Sequence, residues 1–301
     1  MLVSGRIRDW AQDGDPVFRK PRRQVSEHSL FSASGPVIAK LAEPVKTQPL
    51  IATDETGPVV AERLDSRSPF LLTCDHAGCI VPRALNQLGL SEADLQRHIG
   101  WDIGSAALAM QLSALLDASL LMQRYSRLVI DCNRPLQAAD SIATHSDGTR
   151  IPGNASVNDA DAEQRRLAIF EPYHAAILAA LDARLARGQA SVLIAIHSFT
   201  PVWQGRARPW QVGVLWHRDA RLAQALGAAL EREPGLVVGY NQPYDVGDDT
   251  DYAIPVYGEG RGLLHVELEI RQDQIADTAG QQRWAALLAR LLPPLLADFA
   301  H

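Results

Sequence analysis

Cysteine is scarce in this chain, with three residues, Cys74, Cys79 and Cys132, among 301. So small and odd a number excludes a disulfide-built scaffold, and no second cysteine pair exists to close a structural zinc site. Basic residues are also in short supply, 29 Lys and Arg against 35 Asp and Glu, for a net charge of −6. A phosphate footprint needs a basic excess, so neither nucleic acid nor an acidic membrane surface is expected as the main partner. No apolar run is long enough to span a membrane and no stretch resembles a signal peptide, so the expected setting is the reducing cytoplasm. The nucleophile elbow G-x-S-x-G is missing as well, and Ser198 merely follows His197. These absences leave a small-molecule substrate as the expectation.

Of the residues present, 47% are hydrophobic, enough for one large α/β core or two smaller ones. Residues 1–65 stand apart, with the basic cluster "FRKPRRQ", frequent Pro and Ser, and weak periodicity. They read as a partly irregular extension, either a docking arm or a loosely attached leader. From Pro69 onward, strand-length apolar runs alternate with helical segments. "FLLTC", "SLLMQRY", "SRLVIDC", "SVLIAIHSF", "QVGVLW", "LVVGY" and "LLHVELEI" read as strands. "SEADLQRHI" carries a capping signal at Ser91 and Asp94, and the long helix after Asp159 is expected to break at Pro172 and stop at Gly188. This alternation predicts a three-layer α/β/α fold with a mostly parallel or mixed sheet, as a single catalytic domain over 66–301.

Active sites in such sheets gather at the carboxyl ends of strands. His76 follows "FLLTC", Asn133 and Arg134 follow "SRLVIDC", His197 follows "SVLIAI", and Glu267 and Glu269 lie in "LLHVELEI". One histidine after a strand is usually a turn or packing residue, but four such ends together concentrate chemistry. A catalytic metal site needs three histidine or carboxylate ligands and one open position. His76 and His197 fit as two, and "RHIGWDIGSA" offers His98 and Asp102, the latter with helix capping as its competing role. Cys74, inside an apolar run, and Cys79, without a cationic neighbour in sequence, read as packed thiols rather than nucleophiles. Two long loops, "SIATHSDGTRIPGN" and "YNQPYDVGDDTDYAIPVYGEGRG", are natural covers for a site, with Asn154 and Arg261 as their candidate binding residues. "DVGDD" lacks the ligand spacing of a calcium loop and reads as a solvated turn.

Taken in order, "CDHAGCIVP", "HIGWDIG", "YSRLVIDCNRP", "DGTRIPGN", "IHSFTP" and "RGLLHVELEIRQD" resemble the N-formylglutamate amidohydrolase family over residues 66–300. Members of that family resemble zinc carboxypeptidases and aspartoacylases, so the resemblance implies a zinc-exopeptidase-like fold. It also implies a zinc-dependent amidohydrolase of amino-acid metabolism, acting on an N-acyl amino acid and most of all splitting N-formyl-L-glutamate into formate and glutamate. His76 and His197 become zinc ligands, Glu269 the general base, and Asn133 with Arg134 a substrate-binding pair. The chain departs from the carboxypeptidase H-x-x-E motif, since "HAGC" places Cys79 where the glutamate ligand stands. Asp102 is then the favoured third ligand and Cys79 the next. Substrate carboxylates call for arginine, whose planar guanidinium grips both oxygens, so Arg127 joins Arg134 as a candidate, with a structural carboxylate as its alternative partner. Asp131 is expected to support a ligand rather than to be one. Two other readings stand beside this one, a zinc amidase or carboxypeptidase on a peptide or cell-wall amide, and a non-catalytic small-molecule-binding relative.

Overall fold

The computed structural model describes residues 49–299, so the basic cluster at 18–24 and most of the expected extension lie outside the described residues. Apolar runs become strands where turn residues bound them. β1 is Val59–Glu62, β2 Phe70–Cys74 and β3 Ser119–Gln123. A two-residue hairpin, β4 His145–Ser146 with β5 Thr149–Arg150, precedes β6 Val192–Phe199. A second hairpin, β7 Val202–Trp203 with β8 Arg206–Ala207, precedes β9 Val212–Leu215, β10 Val238–Tyr240 and β11 Leu264–Arg271. Seven of these build one mixed sheet in the order β1-β3-β2-β6-β11-β9-β10. β3, β2, β6 and β11 are mutually parallel, whereas β1 and β9 run antiparallel to their neighbours β3 and β11. β1 falls within the segment read as an extension. Its four residues are too short a run to show strand periodicity.

Side-chain alternation divides the sheet between two cores. Leu72, Ile194, Val266 and Leu268 pack with α2 (Ser105–Leu116), α5 (Arg221–Leu230) and α6 (Thr278–Leu295). Leu71, Leu193 and Ala195 pack with Tyr173, Ile177 and Leu181 of α4 (Glu171–Ala186) on the opposite face. Each such leucine or isoleucine contributes roughly 2 kcal/mol through apolar area removed from water. This is the expected α/β/α layering. The short α1 (Glu92–Leu95) is capped as predicted, with Ser91 Oγ accepting from Asp94 N at 3.1 Å. The break expected at Pro172 is a π-helical turn over Arg166–Phe170 between α3 (Asp159–Arg165) and α4. Pro172 has no N–H for the preceding turn and its ring crowds the carbonyl there, so the chain widens before it. No described helix is long and apolar enough to cross a membrane.

One expected strand is absent. "SRLVIDC" is a buried irregular segment, because apolar composition reports burial and not the hydrogen-bond partner. Its backbone is satisfied one group at a time, by Ser126 N to the Ile80 carbonyl (2.8 Å), Asp131 N to the Ser141 carbonyl (2.8 Å) and Arg165 to the Val129 carbonyl (2.9 Å). Asn133 and Arg134 therefore stand at the end of a loop braced from all sides.

Candidate metal and catalytic site

β2 carries the chain to His76, and the turn after it lies against the end of β3. A Cβ on Gly78 would sit 2.0 Å from the Arg124 carbonyl oxygen, so this approach requires glycine. The segment before α2 is tied to the same turn, with Asp102 N donating to the His76 carbonyl at 3.0 Å. Gly104, at φ +84° and with its Cβ position 2.3 Å from the Ile275 carbonyl oxygen, takes the cap position of α2. Asp102 is thus not the helix cap, and its carboxylate turns towards the histidines. β11 completes the arrangement, since its register sets Glu269 beside His197 of β6.

His76, Asp102 and His197 are all buried, and their ligand atoms lie within 4.8 Å of one another. Asp102 Oδ2 stands 2.9 Å from His197 Nδ1 and 3.4 Å from His76 Nδ1. The far nitrogen of each ring also meets a carboxylate. His76 Nε2 donates to Asp131 Oδ1 at 2.7 Å, and His197 Nε2 lies 3.4 Å from Asp75 Oδ2. Asp75 is itself held by the Tyr173 hydroxyl, which donates to Oδ1 at 2.6 Å. With one proton on Nε2, His76 turns Nδ1 towards a carboxylate oxygen, an arrangement that calls for either a second proton or a metal ion between them. His76 Nδ1 and Glu269 Oε2 make no hydrogen bond among the described residues.

The charge balance points the same way. Asp75, Asp102, Asp131, Asp251, Glu267 and Glu269 are all buried here, with Arg127 and Arg134 as the adjoining guanidinium groups. Burial pushes Glu267 up to about 7 and Glu269 well above the usual carboxyl range. Burial also opposes ionisation of Asp131 and Asp102, yet Arg127 holds the first low and the His76 charge holds the second low. Burial pushes the two imidazoles down, but Asp131 for His76 and Glu267 for His197 outweigh it and favour the protonated rings. Without a metal this cluster collects protons. A divalent cation on two imidazoles and one carboxylate would replace them, so the donor set fits a metal.

These groups open into a cavity of about 670 Å³. His76, Asp102, His197, Glu269, Arg127, Asn133 and Arg134 all line it, so most of the expected site residues are brought together. Arg127 reaches Asp131 Oδ2 through Nε at 3.0 Å and a terminal nitrogen at 2.7 Å, and it lies 3.6 Å from Asp102, which makes it a brace between two carboxylates. Asn133 donates to Asp251 Oδ1 at 3.2 Å and accepts from Tyr252 N and Ala253 N at 3.0 Å each, while Arg134 reaches Asp140 at 3.0 Å and the Thr250 carbonyl. His98 lines the cavity but pairs with Asp147 at 3.3 Å, outside the three-residue group.

Three candidates stand elsewhere. Asn154 is buried away from the cavity lining, donates to the Leu128 and Ala143 carbonyls and accepts from Arg165, so it fastens loops together instead of contacting a ligand. Arg261 pairs with Asp182 at 2.7 Å, because its loop folds back on α4. Cys79 is half-buried and accepts from Gln96 Nε2 at 3.4 Å, off the cavity, while burial pushes the Cys74 thiol up to about 12. Asp75 has a second-sphere position because β2 ends at Cys74 and alternation stops there. Tyr173 and Asp251 were missed. Tyr173 reads as helix core, and Asp251 stands two residues past the "DVGDD" turn that reads as solvated.

Comparison with known proteins bears on the family and the fold. The sequence pattern of the N-formylglutamate amidohydrolase family matches residues 68–276. A curated relative, N-formylglutamate deformylase of Pseudomonas aeruginosa, is 26% identical over 238 residues, covering 74% of this chain and 88% of the relative. The crystal structure of a gene product from Agrobacterium tumefaciens superposes with a TM-score of 0.81 at 35% identity, over 84% of this chain and all of that one. That of an N-formylglutamate amidohydrolase from Ralstonia eutropha gives 0.55 at 19% identity, over 81% and 98%, a likeness of fold. With its sheet, its histidine-carboxylate cluster and a family match across more than two thirds of its length, the chain belongs to the N-formylglutamate amidohydrolase family.

Proposed function

We propose that this protein is a zinc-dependent hydrolase that cleaves N-formyl-L-glutamate to formate and glutamate. The observation that carries the reading is the shared Asp102 Oδ2, faced by Nδ1 of both His76 and His197 inside a cavity that also holds Glu269. His76, Asp102 and His197 would hold the zinc ion, which when bound supplies Lewis acidity, polarising the amide carbonyl and lowering the pKa of water to about 7.

The chain's own residues do the rest. Among the described residues Glu269 Oε2 has no hydrogen bond to give up, and a cation beside it would favour the ionised carboxylate that burial alone disfavours. It accepts the proton of the attacking water as the new C–O bond forms at the formyl carbon. It then delivers that proton to the amide nitrogen as the C–N bond breaks, releasing formate and the free amine. Arg134, with Asn133 fixed beside it, binds the α-carboxylate, and Arg127 orients Asp131 and through it His76.

The name of the Pseudomonas aeruginosa relative supports this choice of substrate. The test is formate release from a panel of N-formyl amino acids, together with the zinc content of the purified protein. Stoichiometric zinc and preferential turnover of N-formyl-L-glutamate are expected. A zinc-loaded protein that releases no formate from any member of the panel would overturn the reading.

A further inference from the structure

Glutamate brings two carboxylates to the site, and two cations are needed to take them. Arg127 is already committed to Asp131 and Asp102, which leaves Arg134 for one carboxylate and none of the expected residues for the other. A third guanidinium lies in the wall of the same cavity, where Arg208 touches four of its lining residues, Phe199, Thr200, Trp203 and Tyr244. Arg208 has no carboxylate within ion-pair distance among the described residues, in contrast to both of the others.

Its surroundings are built to hold it in place. The guanidinium carbon lies 5.1 Å from the ring centre of Tyr244, 5.4 Å from that of Trp203 and 5.6 Å from that of Phe199, and all three rings line the cavity. One terminal nitrogen donates to Thr200 Oγ1 and to the Tyr244 hydroxyl, each at 3.2 Å. The hairpin β7–β8 returns the backbone, with Arg208 N bonded to the Pro201 carbonyl at 2.8 Å. Rings position a guanidinium face without neutralising it, so the edge remains free to grip an anion.

Thr200, which Arg208 touches, lies three residues past His197, just beyond the end of β6, and both residues line the cavity.

We propose that Arg208 determines specificity by capturing the side-chain carboxylate of an N-acyl acidic amino acid. This rests on the hydrolase reading above and extends it to the substrate's far end. The experiment compares kcat/KM for N-formyl-L-glutamate and N-formyl-L-glutamine in the zinc-loaded wild type and in Arg208→Met, which keeps the apolar stem among the rings. The preference for the glutamate substrate should fall by about 30-fold, the size of a lost charged hydrogen-bond pair. Arg208→Lys should retain part of it, and it serves as the reading should the methionine variant fold poorly. An unchanged preference in a folded variant would overturn the proposal. If the wild type turns over neither compound, the hydrolase reading fails by itself and glutarate binding by calorimetry decides. Binding that Arg208→Met weakens by about 30-fold supports capture, and equal binding to both proteins, or none, rejects it.

Discussion

His76 Nε2 donates to Asp131 Oδ1 at 2.7 Å, and Arg127 holds the other oxygen of the same carboxylate. The imidazole is thereby fixed in orientation and tautomer from a segment 55 residues away, before any ligand arrives. Asp75 stands in the matching position behind His197, itself held by Tyr173. Both rings present Nδ1 to Asp102, and each meets a buried carboxylate at its far nitrogen.

Asp131→Asn tests that dependence. It keeps the shape and one acceptor but loses the charge that favours Nε2–H on His76. Zinc affinity, measured by competition with a chromophoric chelator, should fall about 10- to 100-fold. Affinity equal to wild type would show that His76 is oriented by other contacts.

Glu269 and Glu267 share a strand face, and burial raises both, so titration alone does not assign the base. Their contacts differ. Glu267 Oε2 lies 3.5 Å from Asn133 Nδ2 and 4.0 Å from His197 Nε2, whereas Glu269 Oε2 has no hydrogen bond among the described residues. Glu269→Gln should lower kcat by about 10²- to 10⁴-fold with zinc content retained, and Glu267→Gln by about tenfold less. A reversed order would move the general base to Glu267.

Asn154 was a candidate for substrate binding, and its contacts predict another role. Its amide holds two loop carbonyls and accepts from buried Arg165 at 2.7 Å. Asn154→Ala should cost roughly 2–4 kcal/mol in chemical denaturation, since it removes the partner of two loop carbonyls and one of the hydrogen bonds of buried Arg165. KM should change less than about threefold in the fraction that remains folded, because no contact to the cavity is lost. A large rise in KM with full stability would restore the binding role.

These residues mark where the sequence was readable. Strand ends were legible because an apolar run and the polar group after it are both local, which is why His76, His197 and Glu269 could be named. Asp102 was legible as a turn residue, but its approach to His76 depends on glycines at 78 and 104 and on a backbone bond across 26 residues. "SRLVIDC" deceived because composition alone cannot separate a buried strand from a buried loop. Tyr173 and Arg165 look like ordinary helix positions, and their partners Asp75 and Asn154 are known only once the layers are packed.

Metal removal should weaken the fold as well as the activity. The site buries six carboxyl groups around two imidazoles, with Arg127 and Arg134 beside them, and burial raises Glu267 and Glu269 so that the metal-free cluster favours added protons. At zinc concentrations of about 1,000 Kd the bound form gains about 4 kcal/mol over the stripped one. Chelation should lower Tm by several degrees, zinc add-back should restore it, and the His76→Ala, His197→Ala double variant should show no such response. A Tm indifferent to chelator and zinc would count against a resident metal.

His174 is buried behind the site against Phe170 and Tyr252, with ring centres 4.0 Å and 4.3 Å away. Its Nδ1 shares a hydrogen bond of 2.6 Å with the Tyr257 hydroxyl. Burial pushes its pKa down to about 4 from an ordinary 6.5. The unfolded chain therefore binds a proton near pH 6.5 that the folded chain refuses until about pH 4, and stability is lost as pH falls through that window. The loss amounts to roughly 3 kcal/mol. In His174→Phe the Tyr257 hydroxyl loses its hydrogen-bond partner, a cost of about 1–3 kcal/mol at every pH, but the proton-linked part disappears. Urea denaturation of wild type and variant from pH 7 to pH 4 should show the wild type's advantage shrinking, and finally reversing, as the solution is acidified. Curves that stay parallel would mean that the folded protein already accommodates a charged His174.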